Sequence, residues 1–151
     1  MEGGRERGAT LTRLLIDASA AAAWLLPTQR TPASEALLED ASSHAFAAPH
    51  IFPAEIRNAF LALEWRGRLN GDETRRAVAT LVSFGIQIEP PPAPSEHDPI
   101  LDLARREHLT VYDTIYLWSA MRGGYTLASR DADLLAAASR NGVETEDLRR
   151  G

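Results

Sequence analysis

The segment Leu14-Leu15-Ile16-Asp17-Ala18-Ser19 limits the folds open to this chain more than any other stretch. Three large apolar residues in a row predict a short strand that is buried on both faces, as in a parallel sheet. The carboxylate of Asp17 follows directly, and a buried charge is costly unless it is paired or binds a cation. Ser19 can cap a helix through the alanines that follow. A buried strand, an acid and a helix, in this order, indicate the ligand-binding edge of an open α/β sheet.

Short apolar runs alternate with helical patterns along the rest of the chain. Further strands are predicted over residues 45–48, 86–88 and 125–128, with an edge strand over 142–144. About seven helices are predicted, including one over 54–66, one that Asp72 caps, and one over 114–121 after an extended approach through 110–112. This alternation predicts the α/β class, with a central parallel sheet of four to five strands and helices on both faces.

The size and composition of the chain fit one globular domain. The 151 residues are 44% hydrophobic, which is enough for a substantial core. Residues 1–12, with three glycines and alternating charges, are predicted to be a loose leader, and 13–151 a single domain. No apolar run reaches the roughly 18–20 residues of a spanning helix, so no membrane partner is expected. Cysteine is absent, which excludes disulfides and thiolate metal sites and fits a cytoplasmic protein.

The charge of the chain argues against a general nucleic-acid-binding surface. The net charge is −5, although a local basic patch stays open. All 16 basic residues are arginine. Arginine is suited to bidentate recognition of phosphate, but a GC-rich genome also favours arginine codons, and the arginines are spread along the whole chain.

Four acids stand at junctions that lead into predicted helices: Asp17, Glu55, Asp113 and Asp131. In a parallel sheet such junctions meet at one edge, where four carboxylates repel each other unless a cation neutralises them. Oxygen donors without cysteine or a histidine pair favour Mg²⁺ or Mn²⁺ over zinc. Each acid also has a simpler explanation, because acids in a first helical turn interact favourably with the helix dipole and Asp113 and Asp131 are both possible caps.

Four segments, taken together, resemble the four motifs of PIN-domain nucleases, and within that family the VapC-type toxins of bacterial toxin–antitoxin pairs. The resemblance spans residues 13–145 and implies a three-layer PIN-like fold. The segments are Leu14-Leu15-Ile16-Asp17-Ala18-Ser19, Pro53-Ala54-Glu55-Ile56-Arg57-Asn58-Ala59-Phe60, Leu109-Thr110-Val111-Tyr112-Asp113-Thr114-Ile115-Tyr116-Leu117 and Leu127-Ala128-Ser129-Arg130-Asp131-Ala132-Asp133.

The resemblance also implies a set of site residues and a cofactor. The catalytic and metal-binding acids of the family correspond here to Asp17, Glu55, Asp113 and Asp131, and the implied cofactor is Mg²⁺, with Mn²⁺ as a substitute. Ser129 stands where the family commonly has threonine and keeps the hydroxyl, and Asn58 fits a polar position one turn after Glu55. Ser19 has two open interpretations: it orients Asp17 or a metal-bound water, or it only caps a helix.

The activity implied by the resemblance is metal-dependent hydrolysis of RNA. The products would carry a 5′-phosphate and a 3′-hydroxyl, and no protein nucleophile takes part. The implied partners are the RNA substrate and a small VapB-like antitoxin. A homodimer is predicted as well, because these large apolar residues exceed what one core needs: Leu37, Leu38, Phe52, Phe60, Trp65 and Leu69.

Two other functions compete with this hypothesis. A PIN-like domain that has lost catalysis would only bind RNA or a protein, and the four intact acids argue against it. A signalling receiver domain has an acidic pocket too, but it needs paired acids after its first strand and a lysine near its end. The chain has no lysine.

Overall fold

The computed structural model describes residues 11–149 and contains a five-stranded parallel sheet in the order β3-β2-β1-β4-β5. The strands are β1 Thr12–Ile16, β2 His44–Ala48, β3 Gln87–Ile88, β4 Thr126–Ser129 and β5 Thr145–Asp147. The predicted leader over residues 1–12 falls mostly outside the described residues, and β1 already includes Thr12.

Seven α-helices connect and follow these strands in the described part of the chain. They are α1 Ala18–Leu25, α2 Pro32–Glu39, α3 Phe52–Trp65, α4 Gly71–Val82, α5 His97–Glu107, α6 Val111–Gly123 and α7 Ala132–Arg140. Short 3₁₀ turns lie at Pro27–Gln29, Ala41–Ser43 and Pro94–Glu96. The predicted α/β class, with four to five parallel strands and helices on both faces, is confirmed.

Strand β1 lies at the centre of the sheet, between β2 and β4. Leu14 is level with Phe46 on one side and with Thr126 on the other. Helices α1 to α4 pack on one another, as do α5 to α7, and right-handed crossovers place the two groups on opposite faces. The apolar run Leu14, Leu15 and Ile16 is therefore completely buried, as its composition predicts.

An aromatic cluster fills the core on the α1 side of the sheet. The ring of Trp24 is 5.1 Å from Phe46 and 5.6 Å from Phe84, centroid to centroid, in edge-on arrangements. Phe46 and Phe84 complete the triangle at 6.1 Å. Such edge-to-face contacts favour a fixed arrangement of rings. These contacts hold α1 against the sheet and so fix the position of its first residues, which follow Asp17.

Two helix caps differ from the sequence prediction. Asp17 caps α1, because its Oδ1 atom accepts a hydrogen bond from the Ala20 amide, and Ser19 lies inside the helix. Asn70 caps α4 and forms a reciprocal capping box with Glu73, so the predicted cap Asp72 was wrong.

Helix α6 begins earlier than its sequence indicates. Residues 110–112 were predicted as extended, but the Thr110 hydroxyl accepts from the Asp113 amide at 3.1 Å and starts the helix at Val111. The Thr114 hydroxyl donates back to the Thr110 carbonyl at 2.7 Å. These two bonds outweigh the β-propensity of Val111 and Tyr112. The last strand was also misplaced, since β5 covers Thr145–Asp147 and not 142–144.

The six apolar residues that suggested a dimer divide into three classes, and two of them, Leu38 and Leu69, are partly buried against the core. Leu37, Phe52 and Phe60 are buried, so they belong to the core and do not argue for a dimer. Trp65, at the end of α3, is 79% exposed. Within residues 11–149 no helix combines the length and the apolar character needed to cross a membrane.

Candidate functional site

A cleft of about 800 Å³ opens at the carboxyl ends of β1, β2 and β4. It lies where these strands give way to helices, together with the first turns of α3 and α6. The cleft contains all four predicted acids. Its lining consists of Asp17, Ala18, Ser19, His50, Ile51, Ala54, Glu55, Asn58, Ala59, Tyr112, Asp113, Tyr116 and Asp131.

Asp17 is the most buried of the four acids, with 7% of its surface exposed. Its Oδ1 atom accepts from the Ser19 hydroxyl at 2.7 Å and from the Ala20 amide, and its Oδ2 atom accepts from the Ser129 hydroxyl at 2.6 Å. Burial raises the pKa of Asp17 above the usual range, although the three hydrogen bonds act in the opposite direction. Both oxygens are thus held in fixed positions.

Glu55 lies in the first turn of α3 and is oriented from the facing helix α6. The hydroxyl of Tyr116 donates to Oε1 of Glu55 at 2.8 Å. Burial and the adjacent carboxylate raise the pKa of Tyr116, so this hydroxyl keeps its proton and remains a donor. A buried tyrosine therefore fixes the Glu55 side chain across the cleft.

The pKa of Asp113 depends on the charges of the neighbouring acids. Burial raises the pKa of Asp113, and the charges of Asp131 and Glu55 raise it further, against a weaker opposing effect of Thr110. Asp131 likewise contributes to raising the pKa of Asp17. The carboxylates thus form one electrostatically coupled group.

Helix N-termini explain how the fold tolerates this group of like charges. Asp17 and Asp131 are the N-caps of α1 and α7, and Glu55 and Asp113 occupy the first turns of α3 and α6. The amino end of a helix carries a partial positive charge that stabilises a carboxylate. No arginine of residues 11–149 lines the cleft or forms an ion pair with any of the four acids.

Ser19 and Ser129 connect the first and last acids through a buried hydroxyl network. The Ser129 hydroxyl donates to Asp17 and accepts from the Asp131 amide at 2.9 Å. The Ser19 hydroxyl donates to Asp17 and accepts from the Arg130 amide, also at 2.9 Å. Of the two interpretations of Ser19, the structure favours the orientation of Asp17 over a helix cap.

Loss of the Ser129 hydroxyl is expected to destabilise the protein. Ser129→Ala removes a donor from a buried carboxylate and an acceptor from the Asp131 amide, which should lower the free energy of unfolding by about 1–3 kcal/mol. Ser129→Thr keeps the hydroxyl and should retain most of the stability. Thermal melts compare these variants with Ser139→Ala on the exposed face of α7. Equal melting temperatures for Ser129→Ala and Ser139→Ala would contradict the assignment.

Asn58, the last of the predicted site residues, lines the cleft together with three residues that were not predicted. Asn58 lies one turn after Glu55 on the cleft wall and is exposed. His50, Tyr112 and Tyr116 also line the cleft, and the sequence interpretation gave none of them a role. Tyr112 and Tyr116 lie one turn apart in α6, so helical spacing around Asp113 was the signal that could have identified them.

The donor set has the chemistry of a site for a hard divalent cation. Carboxylate oxygens surround one cleft whose lining includes no arginine, and of the described arginines Arg149 acts on Asp131 only through its charge, without an ion pair to it. Among residues 11–149, the structure shows no group of three histidine, aspartate or glutamate side chains arranged to hold a metal ion. Mg²⁺, however, usually keeps several waters and binds through only one or two carboxylates. The residues present therefore fit this ion.

Comparison with known proteins identifies the fold. Similar solved structures include PAE2754 from Pyrobaculum aerophilum, at 24% identity and a TM-score of 0.67, covering 89% of this chain and 83% of that chain. FitAcB from Neisseria gonorrhoeae matches at 21% identity and a TM-score of 0.65, covering 89% and 97%. FitAB bound to an IR36 DNA fragment matches at 17% identity and a TM-score of 0.61, covering 91% and 96%.

These structures are PIN-domain proteins, and the chain has the PIN-domain fold. The fold expected from the four motifs is thus confirmed. No family model and no curated protein matches the chain.

Proposed function

We propose that this PIN-fold chain is a metal-dependent endoribonuclease toxin of the VapC type, which acts in the cytoplasm and is neutralised by a cognate VapB-like antitoxin. One observation carries the proposal. The acids of all four motifs, Asp17, Glu55, Asp113 and Asp131, line a single cleft whose lining includes no arginine. Among the described residues none of these acids forms an ion pair, and such a group of carboxylates favours a bound divalent cation over a purely structural role.

Asp17, Glu55, Asp113 and Asp131 are the candidates to hold Mg²⁺ or Mn²⁺, and one or two of them would bind the ion directly. When bound, such an ion supplies positive charge at the phosphate and lowers the pKa of water, which yields a nucleophile at neutral pH. The chain itself keeps the carboxylates in place. The hydroxyls of Ser19 and Ser129 hold both oxygens of Asp17, and Tyr116 holds Glu55. Asn58, which is exposed on the wall of the same cleft, would contact the phosphate.

The chemistry of the product ends tests the proposal. Purified protein, MgCl₂ and a labelled RNA should give fragments with a 5′-phosphate and a 3′-hydroxyl. Fragments ending in a 2′,3′-cyclic phosphate would contradict it, because they indicate attack by the ribose hydroxyl and not by water. Because FitAB was solved with DNA, a DNA strand of the same sequence serves as the comparison substrate.

The same experiment distinguishes the alternative of a catalytically silent PIN-like domain. No three acidic or histidine side chains of the described residues are arranged as a metal-holding group, which is the observation that favours this alternative. A silent domain would bind RNA or a protein without producing fragments at any Mg²⁺ concentration. Fragments from the parent, and none from Glu55→Gln prepared in the same way, would exclude it.

The proposed assembly is a homodimer that binds the antitoxin. The exposed Leu61 and Trp65, one helical turn apart near the end of α3, provide an apolar surface for such contacts. Co-expression with the product of a small adjacent reading frame should recover a stable complex. Light scattering on the free protein should give twice the mass of one chain, and a monomer at high concentration would contradict the dimer.

A further inference from the structure

Arg149 follows the last strand at the same edge of the sheet as the acidic cleft. Strand β5 pairs with β4 so that Asp147 is level with Ser129, and the amide of Leu148 donates to the Ser129 carbonyl at 2.9 Å. Asp131 and Arg149 each come two residues after this pair. Because the two strands are parallel, both residues lie at the carboxyl edge of the sheet.

The charges of Arg149 and Asp131 interact although the two side chains form no ion pair. Asp147 raises the pKa of Arg149 most, and the charge of Asp131 raises it further. The ion pair of Arg149 is with Asp147, and Arg149 does not line the cleft. Its positive charge therefore acts on the site from beside the cleft, without occupying the carboxylate of Asp131.

Asp147 holds the guanidinium of Arg149 in one orientation. The Nε atom donates to Oδ1 of Asp147 at 2.9 Å and the Nη2 atom donates to Oδ2 at 2.7 Å, while the Arg149 amide also donates to Oδ1. Among the described residues nothing accepts from Nη1, so its donors are left for another acceptor. The side chain is 46% exposed, and a guanidinium that is already oriented loses little freedom when it binds a phosphate.

The acidic cleft needs such a group if it is to receive a phosphate chain. Its lining holds four carboxylates and no arginine or lysine, so the protein's own side chains in the cleft repel a phosphate. Arg130 also lies at this edge, but its Nη1 atom donates to Gln29 in the turn after α1. Arg149 thus offers an oriented positive charge beside the site with donors to spare.

We propose that Arg149, held by Asp147, contacts the RNA backbone at a phosphate next to the one that is cleaved and so holds the substrate at the cleft. This inference rests on the proposed function and adds a substrate-binding residue to it. Arg149 would bind the charged backbone and not a base, so the contact would serve any sequence. A positive charge attracts a phosphate and opposes a cation, so Arg149 acts on the RNA and on the metal ion in opposite directions.

Fluorescence anisotropy of a labelled single-stranded RNA of random sequence tests the RNA contact. The variants are made on a Glu55→Gln background and measured at a fixed low MgCl₂ concentration while KCl is varied. Arg149→Ala should lower the RNA affinity roughly 3- to 10-fold and make the plot of log affinity against log salt shallower by up to about 0.7, the value for one phosphate of a single strand. Arg149→Lys keeps the charge and should give intermediate values.

Arg140→Ala is the matched control for the loss of one arginine. Arg140 also pairs through Nε and Nη2 with one carboxylate, that of Glu107. It ends the helix α7 that Asp131 caps, and the nine residues of this helix place it about 13 Å further from the site. Arg140→Ala should therefore bind RNA as the parent does, with the same dependence on salt.

Binding of Mn²⁺ without RNA, measured by electron paramagnetic resonance, separates a contact from a loss of structure. Arg149→Ala should bind Mn²⁺ at least as tightly as the parent, because a positive charge near the site is removed. Weaker binding of both Mn²⁺ and RNA would mean that Arg149 only supports the fold. That outcome, or an unchanged RNA affinity and salt dependence, would overturn the inference and leave the proposed nuclease intact. A parent that binds RNA through Arg149 but yields no fragments would instead refute the nuclease.

Discussion

Cleavage of RNA is expected to stop when divalent cations are removed from the purified protein, and to return with Mg²⁺ or Mn²⁺. The loss should reach the uncatalysed background, because the described lining of the cleft shows no activated nucleophile that could replace a metal-bound water. Its Ser19 hydroxyl is already engaged with Asp17 and the Arg130 amide, and no hydroxyl of the described residues is hydrogen-bonded to His50. A serine–histidine nucleophile is therefore absent from the described lining.

The assay for this first prediction is a time course in EDTA, in MgCl₂ and in MnCl₂, with circular dichroism to show that the protein stays folded. A double variant, Glu55→Gln with Asp131→Asn, purified in parallel, reports any contaminating ribonuclease. Cleavage that persists in EDTA and exceeds that of the double variant would refute the metal mechanism.

Asp113→Asn is expected to change activity and stability in opposite directions. Cleavage should fall by roughly 10²–10³-fold, because one of the carboxylates that would hold the cation is lost. In chelator, however, the variant should melt a few degrees higher than the parent, a shift that about 1 kcal/mol produces in a domain of this length. The reason is that burial and the charges of Asp131 and Glu55 raise the pKa of Asp113, so its ionised form destabilises the fold.

The stabilisation of Asp113→Asn relative to the parent should depend on pH in a direction that the raised pKa determines. Asp113 has a higher pKa in the folded protein than in the unfolded chain, so its contribution to stability is full below the unfolded value of about 3.9. That contribution is lost as the pH rises through the raised folded pKa. The difference in melting temperature between Asp113→Asn and the parent should therefore be largest near neutral pH and shrink in acid.

Asp98→Asn is the matched control for this substitution. Asp98 is an exposed acid in the first turn of α5, outside the cleft, so its replacement removes only a favourable interaction with the helix dipole. It should melt slightly lower than the parent and respond normally to Mg²⁺. Asp113→Asn should gain less from Mg²⁺ than the parent does. If it instead melts lower, like Asp98→Asn, Asp113 is an ordinary first-turn acid.

The parts of the fold that could be predicted are those that local sequence determines. Leu14-Leu15-Ile16 identifies a central strand because only a segment covered on both faces is apolar without alternation. The helix that begins at Pro32 also follows a local signal, since Pro32 suits the first helical position and Thr31 accepts from the Ser34 amide three residues on. Strand β3 was found but overestimated, because its two residues depend on pairing with Ala47 and Ala48 of β2.

The details of the site depend on contacts between distant segments and escaped prediction for that reason. Asp17 and Ser19 are both good caps, and the sequence alone does not decide between them. The Arg130 amide and the Ser129 hydroxyl, more than 100 residues away, engage Ser19 and Asp17 and fix the outcome. The role of Tyr116 could not be predicted for the same reason, because its hydrogen-bond partner Glu55 lies 61 residues earlier in the chain.

The two outermost strands limit how this protein meets other chains. Strand β3 has two residues and β5 has three, so each side of the sheet offers only a few free backbone groups to an incoming strand. A segment of another protein that added to the sheet as a strand could form only a few main-chain hydrogen bonds. We therefore expect a partner to contact side chains of the helices, where Trp65 is the most exposed large apolar group of residues 11–149. Partner specificity would then depend on individual surface side chains. Point mutations could change it without altering the sheet.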